Sequence, residues 1–331
     1  MKKRIAAFSV VVLILAGFGA FAAFSGKGAG EFVLGSNPEL PTLTFYTTGL
    51  ATTPQIPFWH AVKKGEILKH CNLRVRLWKN LDDLRGILLA GKGDLWLGHT
   101  DGFWQAALAG APVKLMAVTG WRKFYLVSRD SGIKDFRDFE GRTLAFAPPG
   151  SPAVPVLESV TGKEGRSISF RAYEPRQLAM KLMKGDLDAA LLPEPLVTTL
   201  TSKVDGLRVV ACVEEVYGRE TGGPARMPIA GIAVNSRTAE RETELMKLIA
   251  REMIHHGLFL EARPEIGVDS LPPRFESFVS KKLVLESLKR DLVKVELSRN
   301  IADEIENYLH IVHPRHAQTG TYKLSMRALF W

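Results

Sequence analysis

The chain is short of cysteine, short of long apolar runs, and without the compact catalytic signatures that identify an activity directly. Two cysteines in 331 residues cannot build a disulfide framework, which excludes the small stapled secreted domains. Only one apolar run is long enough to span a bilayer, which excludes a polytopic membrane protein. A disordered chain needs low hydrophobicity and a high net charge. Here 46% of residues are hydrophobic and the formal net charge is +9, so that class is excluded too. Neither a Gly-x-Ser-x-Gly elbow nor a P-loop occurs, and nothing reads as a nucleophile paired with a base. The length fits about two domains.

What is present begins at the N-terminus. Met1-Lys2-Lys3-Arg4 precedes an uncharged stretch from Ile5 to Phe24, followed by the polar Ser25-Gly-Lys-Gly-Ala-Gly30. This is the layout of an export signal, and Ala20-Phe21-Ala22 matches an A-x-A cleavage site. The apolar stretch is also long enough to stay in the bilayer as an uncleaved anchor. In both readings the positive-inside rule puts everything after residue 25 in a periplasmic or other extracytoplasmic space. Cys71 and Cys212 then face oxidising conditions and are read as two separate, partly buried thiols. Lys2, Lys3 and Arg4 supply a third of the charge excess. The remainder, as in Lys281 to Arg290, is interleaved with acids and reads as a solvated face, with no nucleic-acid partner.

After a Pro-flanked linker, short apolar runs alternate with longer amphipathic stretches. Leu43–Tyr46, Leu73–Trp78, Asp94–Leu97 and Val113–Val118 read as strands; Pro57–Leu68, Leu81–Leu89 and Thr100–Leu108 read as helices. The same order recurs, with strands at Thr143–Ala147, Ser167–Phe170 and Asp188–Leu192 and helices from Ser151, Pro175 and Glu194. Leu88-Leu-Ala-Gly-Lys-Gly-Asp-Leu-Trp-Leu97 resembles Leu182-Met-Lys-Gly-Asp-Leu-Asp-Ala-Ala-Leu191: each is a helix end, a Gly stop, an Asp-Leu turn and a buried strand. Two lobes of similar α/β plan follow, each with a mainly parallel sheet flanked by helices. Phe124–Ser128 and Ile229–Val234 read as paired hinge strands around an inserted lobe. Thr238–Leu260, Phe275–Leu292 and Ser298–Leu309 read as helices of a C-terminal tail. The expected division is signal or anchor 1–24, linker 25–41, first lobe 42–127, inserted second lobe 128–228, and return with helical tail 229–331.

Four segments, in order, carry a family resemblance. They are Ala90-Gly-Lys-Gly-Asp-Leu-Trp-Leu-Gly98, Ala107-Leu-Ala-Gly-Ala-Pro-Val113, Ile133-Lys-Asp-Phe with Phe139-Glu-Gly-Arg-Thr143, and Leu182-Met-Lys-Gly-Asp-Leu-Asp-Ala-Ala190 with Pro193-Glu194-Pro195. Over residues 42 to 260 the chain resembles ABC-importer solute-binding proteins of the nitrate/sulfonate/taurine type, with the type II periplasmic-binding fold. The resemblance implies a non-catalytic, monomeric carrier without cofactor or metal. It would capture a small organic solute between two lobes, close about its hinge and dock on an inner-membrane ABC permease. Two other readings stand beside it: an enzyme on the same fold, of chorismate-dehydratase or thiamine-pyrimidine-synthase type, and an anchored extracytoplasmic sensor. Export and the absence of a cysteine-rich motif weigh against the enzymes.

Open α/β sheets bind ligands beyond the carboxyl ends of their strands, so the candidate ligand residues lie in those loops. They are Thr47, Thr48 and Gly49, Thr100 and Asp101, Trp121, Gly150 and Ser151, and Glu194. Gly150-Ser151 offers free N–H groups at a helix start, or simply a Ser cap. Asp101 and Glu194 can accept from a ligand N–H or cap their own helices. Trp121 offers a flat apolar face; Trp59 is second choice, and Trp104 reads as packing. Two acids with hydroxyls disfavour a small, fully charged anion such as nitrate and better fit a zwitterion or a nitrogen-bearing organic solute; the resemblance adds a sulfonate to the expected classes. The run His310-x-x-His313-x-x-His316 is interrupted by Pro314, so its members do not share one helix face. Mass spectrometry of the native N-terminus separates carrier from anchor: a start near Ala23 is expected of the carrier, and an intact Met1 of the anchored form.

Overall fold

A computed structural model describes residues 30–161, 168–277, 279–314, 326 and 328–331. The segment from Ile5 to Phe24, read as signal or anchor, lies outside the described residues. Among those described, no helix is long and apolar enough to cross a membrane.

The chain forms two sheets, each flanked by helices, in the two-lobed type II periplasmic-binding arrangement. The first sheet contains β1 (Glu31–Leu34), β2 (Thr42–Thr48), β3 (Asn72–Trp78), β4 (Leu95–His99), β5 (Val113–Gly120), β11 (Ala230–Asn235) and β12 (Glu296–Leu297), in the order β1-β3-β2-β4-β11-β5-β12. The second contains β6 (Phe124–Ser128), β7 (Thr143–Phe146), β8 (Ser169–Ala172), β9 (Ala189–Pro193) and β10 (Arg208–Cys212), in the order β10-β6-β9-β7-β8. Sequence periodicity suits mainly parallel sheets, and the sheets are in fact mixed. Parallel pairing runs through β3-β2-β4 and β8-β7-β9. Every other pair is antiparallel, because the strands that leave and re-enter each lobe run against the βαβ units. The segment read as linker supplies β1, anchored by an ion pair of Glu31 with Arg76 at 2.6 Å. β6, grouped by sequence with the first lobe, pairs in the second sheet.

Local chemistry explains the elements. β3 alternates, burying Leu73 and Val75 while Arg74 and Arg76 face outward. β11 is buried at every position, as its place between β4 and β5 demands. The internal repeat is realised twice: α3 (Leu81–Leu89) ends before left-handed Gly91 and leads into β4, and α6 (Pro175–Lys184) ends at left-handed Gly185 and leads into β9. Only glycine takes those φ values without steric cost. The remaining helices before the tail are α1 (Ile56–Lys64), α2 (Ile67–His70), α4 (Thr100–Leu108), α5 (Ala153–Thr161), α7 (Leu196–Thr201) and α8 (Val213–Thr221).

The tail is less helical than its apolar spacing suggests. The run from Thr238 splits into α9 (Ser236–Arg241) and α10 (Thr243–Ala262) at Glu242, whose φ of −116° and ψ of 43° leave the helical region. Phe275–Leu292 is not one helix. A 3₁₀ turn at Pro273–Ser277 precedes α11 (Lys281–Ser287), which restarts where the Ser280 hydroxyl accepts from Leu283 N–H. The chain then turns through residues 288–290 and runs without regular structure into β12. After a 3₁₀ turn at Ser298–Ile301, α12 (Ala302–Val312) closes the fold.

Three apolar clusters hold these layers. One lies on one face of the first sheet, around Phe45, Trp59, Val75, Ile232 and Phe275. Another lies on one face of the second, around Tyr125, Leu182 and Leu192. The third is shared: Trp96, Trp104 and Leu115 of the first lobe join Leu126, Leu144 and Val216 of the second through Ile305, Tyr308 and Leu309 of α12. Trp59 and Trp104 are therefore core residues. Cys71 and Cys212 are unpaired, and burial is more complete than expected, raising their thiols to about 11 and about 12 respectively.

Gly231 in β11 tests the tightness of the central strand. A Cβ there would stand 2.1 Å from the Ala117 carbonyl oxygen, a backbone atom that cannot move without disturbing the ladder. Gly231→Ala is expected to cost about 1–3 kcal/mol, measured as a lower urea midpoint.

Candidate functional site

Two backbone crossings join the lobes. β5 passes to β6 through Trp121–Lys123, and the chain returns through Met227–Ile229 into β11. The crossings lie side by side: Met227 N–H donates to the Trp121 carbonyl and Ile229 N–H to that of Gly120, both at 3.0 Å.

The first wall is built from the β2 end. Thr47 is buried and donates to Gln55 Oε1 at 2.6 Å; Trp59 Nε1 donates to the same oxygen at 3.1 Å, and Gln55 Nε2 donates to the Leu50 carbonyl at 2.6 Å. Gln55 thus staples the loop that carries Thr48, Gly49 and Thr53. Thr48 spends its hydroxyl locally, accepting from Leu50 N–H at 3.2 Å.

At the β4 end, Thr100 and Asp101 open α4, but the cap position belongs to His99 and no side chain caps the helix. Asp101 is therefore not the N-cap. Both residues are buried, and Thr100 Oγ1 and Asp101 Oδ1 lack a hydrogen-bond partner among the described residues, as does Tyr308 Oη of α12. The other Asp101 oxygen lies 3.6 Å from His313 Nε2. Buried polar atoms are normally paired, so such a group at a helix start calls for a partner. His316 lies outside the described residues.

Trp121 is buried, and its ring face is already covered. The Arg226 guanidinium sits 4.3 Å from the ring centre and is itself held by Glu304 at 2.6 and 2.9 Å, while the indole N–H donates to the Lys294 carbonyl. On the second wall, Gly150 is left-handed with φ of 76° and Ser151 is buried. The pair forms a turn before α5, with Ser151 Oγ accepting from Ala153 N–H at 3.4 Å.

Glu194 is 2% exposed and works in two directions. One oxygen accepts from Thr198 N–H in the first turn of α7 at 3.1 Å, although the cap position itself is Pro195; the other accepts from Arg290 Nε at 2.9 Å. Arg290 closes the run read from sequence as a solvated face, and the structure corrects that reading: its guanidinium also donates to Thr198 Oγ1 at 2.5 Å. The next residue, Asp291, accepts from the Thr53 hydroxyl on the first wall. Sequence reasoning missed Thr53, Lys123, Glu214, Arg290, Asp291 and Tyr308. Glu214 alone had a usable signal, an acid at a helix start after a strand, like Asp101 and Glu194.

Burial governs the charges here. It pushes Asp291 up to about 6 and Glu214 up to about 7, and it lowers the Lys123 ammonium. Glu214 is committed structurally, accepting from Lys123 and Phe124 N–H at 2.8 and 3.2 Å and from the Cys212 thiol at 3.1 Å. Two cavities lie on the first lobe away from these loops. One, of about 790 Å³, is bounded by Tyr46, Arg76 and Ile87. The other, of about 540 Å³, surrounds His60 and His256, whose Nδ1 atoms are 2.9 Å apart.

A family model described as NMT1/THI5 like matches residues 57–249. The chain belongs to this family. No curated protein matches its sequence. Among solved structures it is similar to the periplasmic aliphatic sulphonate binding protein SsuA from Escherichia coli, with 14% identity, TM-score 0.68, and coverage of 89% of this chain and 92% of that one. It is also similar to the alkanesulfonate-binding SsuA from Xanthomonas axonopodis pv. citri bound to MOPS, with 17% identity, TM-score 0.62 and coverage of 86% and 96%. The periplasmic nitrate-binding protein NrtA from Synechocystis PCC 6803 matches with 13% identity, TM-score 0.62 and coverage of 89% and 86%. At these identities the likeness is one of fold.

The raised carboxyls give a pH dependence. Asp291 and Glu214 move up from ordinary values of 3.8 and 4.5, so the folded chain holds protons that the unfolded chain releases. Their contribution is full below about pH 4 and is lost as pH rises through about 6 to 7. Glu214→Gln is expected to flatten the fall in melting temperature between about pH 5 and about pH 8; an unchanged slope would show that Glu214 is not its source.

Proposed function

We propose that the chain is the extracytoplasmic binding component of an ABC-type importer, a non-catalytic carrier that holds a small organic solute between its lobes. The observation that carries the reading is the group of buried polar atoms at the lobe junction. Thr100 Oγ1, Asp101 Oδ1 and Tyr308 Oη are shut off from water without a partner among the described residues, and a solute that donates and accepts hydrogen bonds supplies what they lack. The first sheet with its helices, residues 31–120 and the return from 230, forms one wall, and residues 124–221, which carry the second sheet, form the other. Thr47, Thr48, Gly49, Trp121, Gly150, Ser151 and Glu194 line or brace the junction.

The relatives named for sulphonate and nitrate binding support a solute of that general kind. The acid at the β4 end selects within it. Asp101 repels a bare oxyanion and accepts from an ammonium or amide, so the preferred class is a nitrogen-bearing or zwitterionic solute, aminosulfonates included. The N-terminal basic and apolar segments support export, and docking on a permease follows from the carrier role. An enzymatic reading has less support: Glu214, the carboxyl raised nearest to neutrality, spends its oxygens on two backbone N–H groups and a thiol.

A thermal-shift panel of amino acids, aminosulfonates, quaternary amines and inorganic oxyanions tests the reading, together with native mass spectrometry of the freshly purified chain. Stabilisation by a nitrogen-bearing solute is expected. Asp101→Asn should weaken its binding about tenfold or more, as loss of a charge-assisted hydrogen bond of ~1.5–3 kcal/mol implies. Stabilisation by nitrate or sulfate alone would rule out the proposed solute class, and turnover of a bound compound would rule out the carrier role.

A further inference from the structure

The chain's own tail crosses the junction between the lobes, and its contacts there are those of a ligand. α11 packs on the 3₁₀ turn Pro264–Ser270 of the first lobe and on α7 of the second. The segment after it returns to the first sheet as β12, beside β5. Between these anchor points, successive residues touch opposite walls. Arg290 reaches the second lobe, with Nε on the Glu194 carboxylate at 2.9 Å and Nη2 on Thr198 Oγ1 at 2.5 Å, while Tyr125 Oη donates to its carbonyl at 2.6 Å. Asp291 turns back to the Thr53 hydroxyl on the first. A guanidinium on one wall and a carboxylate on the other is the pattern a bound zwitterion would make.

We infer that Glu194 and Thr198 form a guanidinium subsite on the second-lobe wall of the junction, occupied from within by Arg290, so that residues 288–291 act as a tethered occupant. Three observations converge. Glu194 is almost fully buried, and a carboxylate so placed needs a cation that also satisfies its lone pairs. Its two oxygens are used differently, one by the α7 backbone and one by Arg290, which leaves a shaped vacancy if the guanidinium is withdrawn. The second acceptor, Thr198 Oγ1, is positioned for a planar fork of donors, which an arginine head or free guanidinium presents and a lysine does not. The Arg290 side chain keeps 28% of its surface exposed, whereas Val293 and Val295 further along are buried in the first-lobe core, so the guanidinium head of this strap can swing off Glu194 while the chain beyond it stays anchored. A solute bearing a guanidino or amidino group would compete with it for the same acceptors.

The test uses the full chain and free guanidinium ion as probe. In Arg290→Ala the amides of residues 288–291 are expected to exchange hydrogen about tenfold faster or more than in the wild type. Millimolar guanidinium chloride, well below denaturing levels, is expected to restore their protection and raise the melting temperature of the variant relative to equal sodium chloride, and to leave the wild type unmoved. Wild-type protection in the variant, or guanidinium acting no better than sodium, would overturn the inference. If Arg290→Ala does not fold, Arg290→Lys, which keeps the charge without the fork, takes its place: loosening of the strap supports the inference and unchanged protection overturns it. No imported solute enters either readout, so failure here leaves the carrier reading separately testable.

Discussion

Two backbone hydrogen bonds, from Met227 to Trp121 and from Ile229 to Gly120, fix the relation of the lobes on which the rest of the molecule depends. They bind the outgoing and returning crossings into one narrow ribbon. Because the return strand β11 is then inserted between β4 and β5, the ribbon is continuous with the centre of the first sheet. Near it the segment after α11 links the two lobes, Arg290 to Glu194 and Asp291 to Thr53. Residues as distant in sequence as Thr53, Glu194 and Asp291 become neighbours for that reason.

Desolvation sets the electrostatics of the junction. Water is excluded by the shared apolar cluster around α12, and a charge in such a place must be paired or neutralised. The chain does both. Glu194 is paired with a guanidinium, whereas burial pushes Asp291 and Glu214 toward the neutral form. Trp121 shows the same economy on the apolar side, with its ring face covered by a cation that Glu304 holds in place.

Much of this plan was legible in the sequence. The alternation of apolar runs located the strands of both βαβ units, β5, β6 and β11 but not β1, β10 or β12, and the match between Leu88–Leu97 and Leu182–Leu191 identified equivalent steps in the two lobes, because a left-handed glycine after a helix is a local requirement with a local signature. Glu194 was found from its place at a strand end. Strand direction was harder to read: periodicity reports which face is buried and says nothing of which neighbour a strand will meet. Arg290 and Asp291 were hidden for a related reason. They close a charged amphipathic run, and only tertiary contact distinguishes a guanidinium on a buried carboxylate from one in water. Tyr308 was unreadable as a site residue, since an apolar helix face carries an aromatic equally well for packing.

The place of β11 in the first sheet has a consequence for the life of the chain before it folds. Its partners β4 and β5 are synthesised together, yet the strand between them emerges about a hundred residues later, and α12, which completes the shared core, follows later still. A growing chain therefore cannot close its first lobe until the second has been made, and its contacts are strongly non-local, which slows folding. The order of strands itself therefore holds back the decisive folding step until nearly the whole chain is available.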